Sequence, residues 1–167
     1  MLAYVIVSLG YLAVLMLQYG AVSRTPLLSG TADLVLLYIA AWSLHQQSKR
    51  FWILALIFAA IIGGISINPF FLPVVVYMAV YYAGSFIKGQ VWQTPLLAMF
   101  LLTFTGTLLL HIGYLGGLFF EGQAFDWRVV LTQITLPSVL LNMLLAIPVH
   151  AIVTELARIV YPRGIDL

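Results

Sequence analysis

Apolar residues fall into six long runs, and each run is separated from the next by a short polar or turn-forming cluster. The runs cover approximately residues 2–20, 32–47, 51–67, 70–87, 95–119 and 130–157, and the separators read SRTPLLSGT, HQQSKR, INPF, KGQVWQTP and FEGQAFDWR. About 20 apolar residues in a helix cross the roughly 30 Å hydrocarbon core of a bilayer. Most of these runs are therefore of spanning length. The two that flank Lys49 and Arg50 are the shortest, and must stand upright or reach the surface with snorkelling ends. The runs are continuous and do not alternate with a period of two, which excludes a β-barrel. The pattern predicts an all-α integral membrane protein: one domain over residues 1–167, with six transmembrane helices in one bundle.

Composition narrows the class further. Hydrophobic residues make up 63% of the chain and charged residues 7%, far below the roughly 25% charged residues of soluble domains. No polar interval is long enough for a soluble domain, so helices and short loops must carry the function. The chain has no cysteine, which removes disulfides, thiolate metal sites and cysteine nucleophiles. Seven Lys and Arg against five Asp and Glu are too sparse for a nucleic-acid surface. They are informative as topology markers. Lys49, Arg50, Lys88, Arg158 and Arg163 fall on one side of a six-span arrangement, and only Arg24 and Arg128 on the other. Basic loops are retained in the cytoplasm, so both termini are expected there. Trp42, Trp52, Trp92 and Trp127 lie at expected helix ends, where an amphipathic ring suits the membrane interface, and Phe125 with Trp127 is expected to dip toward lipid. The first run has no preceding Lys or Arg and exceeds the 7–15 residues of a signal core, so it reads as a spanning helix.

Within lipid, helices associate through small residues and a few interhelical hydrogen bonds. The third run holds two interleaved rows at i, i+4 spacing: Ala55, Ala59 and Gly63, then Ala60, Gly64 and Asn68. The fifth holds Gly113 and Gly117 as a GxxxG pair, beside the row Thr103, Thr107, His111. Packing within the bundle is the ordinary role of such faces, and gripping a partner helix is the other. In the last run Ser138, Asn142, Ala146, His150 and Thr154 are spaced by four. Each step of four turns about 40°, so the row makes two overlapping patches. An amide facing lipid is costly, so Asn142 should point inward. Pro137 stands near the start of that helix, whereas Pro148 lies inside it and should bend it, freeing the carbonyl of Leu144. Asp33 opens the second run as an N-cap, with a contact to a partner at the outer interface as its alternative.

Catalysis has little to stand on. Every carboxylate (Asp33, Glu121, Asp126, Glu155, Asp166) lies in a loop, a tail or a helix end, and no pair is placed within the bilayer. Ser138 and His150 are twelve residues apart on one helix, about 18 Å, and cannot act as nucleophile and base together. His111 and His150 are most simply histidines hydrogen-bonded within the bundle or at its edge, with a proton relay as the alternative. Glu155 and Arg158 form an ordinary i, i+3 surface pair. No catalytic residue, metal ligand or cofactor site is expected.

The order of these elements resembles MreD, the rod shape-determining membrane protein family of bacteria. That family typically has Pro-Asp-Leu before its second span, a glycine-bearing third span ending in Asp, and a last span with Leu-Pro, then Asn, then Pro. Asp33 and Leu34 correspond to the first element, with Ala32 in place of the proline. Gly63 and Gly64 correspond to the glycines, with Asn68 near the position of the Asp. Leu136, Pro137, Asn142 and Pro148 correspond to the last. The resemblance implies a non-enzymatic scaffold of the cell-elongation machinery in the bacterial cytoplasmic membrane. Its implied partners are MreC, bound through its transmembrane helix, and indirectly MreB filaments, RodA and its class B penicillin-binding protein. MreD-type proteins are similar in fold to the substrate-capturing S-components of energy-coupling-factor vitamin transporters, which makes small-molecule capture the rival function. A capture protein needs a pocket with convergent polar groups, and the outer loops offer only Glu121, Gln123, Asp126 and Arg128. The first run also lacks the Ala-x-x-x-Ala pair that those subunits use for docking.

Overall fold

A computed structural model describes residues 2–45, 51–65, 70–88 and 94–161. Lys49, Arg50, Asn68, Trp92, Arg163 and Asp166 lie outside the described residues. All regular elements among the described residues are helical: α1 (Leu2–Gly20), α2 (Leu34–Ser43), α3 (Trp52–Ile65), α4 (Phe71–Ile87), α5 (Pro95–Phe120) and α6 (Trp127–Val160). α1 runs on through a 3-10 turn at Val22–Arg24. By length and composition α1, α5 and α6 can each cross a membrane, and α2, α3 and α4 are shorter apolar helices. α6 is not uniform: a first turn, Trp127–Val129, leads into a π-helical turn, Val130–Thr135, before the α-helical stretch Leu136–Val160.

The shortest helix is the centre of the fold. All ten residues of α2 are buried, and α1, α3, α4, α5 and α6 each pack against it. A helix of that length rises only about 15 Å, against about 39 Å for the 26 residues of α5. α2 therefore spans less than half the length of α5, and non-helical chain leads into it. The expected second span, 32–47, is accordingly too long as a helix: Ala32 and Asp33 precede α2, and the helix ends at Ser43.

Around α2, aromatic rings supply the bulk of the packing against α1 and α3. Tyr11 stacks on Phe58 at 4.4 Å and meets Tyr38 edge-on at 4.7 Å, and Trp42 meets Phe51 edge-on at 5.3 Å. Offset and edge-to-face contacts of this kind add to simple burial. Trp42 is 0% exposed, which corrects its expected place at a membrane interface. It ends a central helix, so its neighbours are other helices. Trp52 and Trp127 are exposed, and Trp127 pairs with Phe125 at 4.8 Å.

The interleaved rows of α3 separate cleanly. Ala55, Ala59 and Gly63 are buried, whereas Ala60 is half-buried and Gly64 is exposed. A side chain at Gly63 would place its Cβ 2.3 Å from the Phe70 carbonyl oxygen, and one at Gly113 would come within 2.3 Å of Leu72. Both glycines are inside the packing of α3 and α5 against the start of α4. Gly64 and Gly116 face open space.

Candidate functional site

The candidate site is built where the chain enters α2. Leu27 and Gly30 exchange two backbone bonds of 2.9 Å, which turns the chain, with Leu28 at a φ of 56°. From Ser29 to Leu34 the backbone lies between α6 and α1, and its polar groups are taken alternately by each. On one side the amides of Ser29, Thr31 and Asp33 donate to the Gln133 carbonyl at 3.0 Å, Ser138 Oγ at 3.1 Å and Asn142 Oδ1 at 2.7 Å. On the other, the Ala32 carbonyl accepts from Gln18 Nε2 at 2.9 Å and the Leu34 amide donates to Gln18 Oε1 at 2.7 Å.

The match has a simple metric basis. Two residues of extended chain advance about 6.6 Å, and four residues of helix about 6.0 Å. A row spaced by four on α6 can therefore serve every second amide of a strand lying along it. Non-helical backbone inside an apolar bundle needs every N–H and C=O satisfied by protein. Side chains of α1 and α6 do here what a neighbouring strand would do in a sheet.

Local features of α6 make room for this. Pro137 has no N–H to offer the carbonyl four residues earlier, which is that of Gln133, the group that accepts the Ser29 amide. The π-helical turn ends just before it, at Thr135. Gly30 sits against this junction: a Cβ there would lie 2.7 Å from both Ile134 O and Ser138 N. Those are backbone atoms and cannot give way. Pro137 stands, as expected, in the first turn of its α-helical stretch, Leu136–Val160, and a π-helical turn precedes that stretch.

Asn142 is 1% exposed. Its Oδ1 must face the Asp33 amide, which can only donate, so its Nδ2 points to Thr107 Oγ1, at 2.9 Å. Thr107 in turn donates to the Thr103 carbonyl at 2.7 Å. Asp33 caps α2 through the Leu36 amide at 2.9 Å, and its second oxygen accepts a short bond from the Tyr77 hydroxyl of α4. One polar network thus joins α1, α2, α4, α5 and α6 at the N-terminus of the central helix.

Beside this network lies a cavity of about 350 Å³. Its polar lining includes Asp33, Gln18, Tyr77, His111, Ser138 and Asn142, and its apolar wall includes Leu110, Leu115 and Leu118. The sequence pattern pointed to the loop residues Glu121, Gln123, Asp126 and Arg128 as the available polar groups, and none of them lines it. Gln18, Tyr77 and Gly30 escaped notice. Gln18 is the one amide side chain in α1 and could have been flagged as such, whereas Tyr77 and Gly30 carry no local signal.

The remaining expected residues lie apart from this end. Gly117 is half-buried and Pro148 is exposed within an unbroken α6. His150 lies beside His45, with ring centroids 6.5 Å apart, at the C-terminal end of α2. His111 holds the Thr107 carbonyl at 2.8 Å near the other end. His111 and His150, the candidates for a proton relay, lie toward opposite ends of α2. Among the described residues no three His, Asp or Glu side chains are grouped to hold a metal ion. No family model, curated protein or solved structure matches the chain.

Proposed function

We propose that this chain is a non-enzymatic membrane scaffold of the MreD type, six helices crossing the bacterial cytoplasmic membrane with both termini in the cytoplasm. In this reading it grips the transmembrane helix of MreC and supports wall synthesis by RodA and its penicillin-binding partner. The observation that carries the reading is a single bond. The elements on which the resemblance rests, Asp33-Leu34 and Pro137 with Asn142, lie far apart in sequence, and the Asp33 amide meets Asn142 Oδ1 at 2.7 Å. That these two elements are neighbours in the fold supports the reading. Gly63 and Gly113 are taken up by internal packing, so the gripping face moves to the open small residues Gly64 and Gly116.

Photo-crosslinking from probes at Gly64 and at Gly116 in the native cells tests this. Capture of MreC or of the wall-synthesis pair is expected; failure to capture either from both positions counts against the scaffold. The second reading, a substrate-capture subunit, is favoured by the cavity beside Asp33, whose volume falls in the range of small-molecule sites. Capture of a transporter coupling subunit by the same probes selects it.

A further inference from the structure

The carboxylate of Asp33 faces a cavity in which His111 is its basic neighbour. It accepts the Leu36 amide and the Tyr77 hydroxyl, with the Val35 amide also directed at it, while a carboxylate offers about four acceptor positions. Gln18 and Asn142 are committed to backbone groups of the entering segment and to Thr107. No Lys or Arg lines the cavity among the described residues. The basic group that does, His111, approaches the Thr107 carbonyl through Nδ1. A carbonyl only accepts, so Nδ1 carries a hydrogen. A carboxylate held in a largely apolar wall is costly unless a cation or further donors reach it.

The rest of the wall suits a particular kind of cation. Tyr19, Tyr77 and Tyr114 line the space together with Leu115 and Leu118. Phenol faces attract ammonium groups, and aliphatic side chains accept methylenes. Volume and composition match those of small-molecule sites.

We infer that this cavity binds a small organic ammonium, its N–H donors directed at Asp33 and its carbon chain laid against the tyrosine and leucine wall. The ammonium comes either from a free amine or from an amine-bearing phospholipid headgroup. The site rests on the cavity alone and stands with either reading of the protein's function.

The test uses the full chain in nanodiscs of phosphatidylglycerol. Ethanolamine and its neutral isostere ethylene glycol are added separately, and the unfolding midpoint is followed by intrinsic fluorescence. In parallel, discs containing phosphatidylethanolamine and phosphatidylglycerol in equal amounts are analysed by native mass spectrometry for retained lipid. Two variants accompany the wild type. Asp33→Asn keeps an acceptor for the Leu36 amide and drops the charge, and Leu118→Trp fills the cavity from its apolar wall; circular dichroism reports that each is folded. A midpoint raised by a few degrees by ethanolamine and not by ethylene glycol, with the effect lost in a folded variant, establishes the site for a free amine. Phosphatidylethanolamine retained about fivefold over phosphatidylglycerol, again lost in a folded variant, establishes it for a lipid headgroup. Equal response to the charged and neutral probes, no response to amine or lipid, or a response that survives in both variants overturns the inference.

Discussion

Asn142 shows how much one side chain holds in place. Its two ends satisfy the Asp33 amide and bond the Thr107 hydroxyl, and the residue itself is 1% exposed. Asn142→Leu leaves the Asp33 amide without a partner in an apolar setting, removes the bond to Thr107, and is expected to cost about 2–4 kcal/mol. Unfolding in mixed micelles measures this, and a loss below about 0.5 kcal/mol would sink the role given to Asn142. Asn142→Asp is expected to be at least as damaging despite its near-identical shape. It places a second carboxylate beside Asp33 and removes the donor to Thr107. Gly30→Ala tests close approach by a different route: its methyl meets two backbone atoms at 2.7 Å, so folded yield should fall severely. The spacing and inward direction of Asn142 could be read from the chain, since an amide in an apolar run must avoid lipid. Its partners could not, because they come from residues 35 and 109 positions away.

At the level of elements, the segment from Ser29 to Leu34 and the helix α6 form one device. α2 can be short because the entering segment is carried by Gln133, Ser138 and Asn142 on one side and by Gln18 on the other. Replacing a proline inside a helical stretch by alanine usually strengthens the helix, since it restores an N–H. Here Pro137→Ala is expected to do the reverse for the bundle: the new N–H competes with the Ser29 amide for the Gln133 carbonyl. Hydrogen exchange at residues 29–34 should accelerate about tenfold or more, and unchanged protection there would count against the device. Pro137 was legible as a helix-start proline only. The close approach of Gly30 to the π-to-α junction beside it is recorded by no local pattern.

Across the whole molecule, the two glycines of the α3 pair separate stability from surface function. Gly63→Leu drives a branched side chain into the Phe70 carbonyl and should sharply lower the yield of folded protein. Gly64→Leu points into open space and should leave yield unchanged while weakening recovery of a partner complex. Size-exclusion profiles and co-purification of tagged protein distinguish the two, and equal yields for both variants would show that the assignment of inner and outer faces is wrong. Large apolar side chains such as Met16, Phe86 and Phe120 lie 73%, 74% and 89% exposed, which is the normal state of a surface that meets hydrocarbon.

The chain by itself determined that this protein is built of apolar helices, where most of those helices begin and end, and that its informative residues are the few polar and small ones. These follow from run length, turn clusters and the cost of polar groups in lipid, all of which are local. Tertiary structure alone decided that the shortest helix lies at the centre, that Trp42 is buried, and which of two interleaved rows faces inward. It also decided that Gln18, Asp33, Tyr77 and Asn142 converge beside a cavity. The physical reason is that such facts depend on pairings between distant segments: a hydrogen bond or a close backbone approach exists only once both partners are in place, and neither partner alone carries its signature.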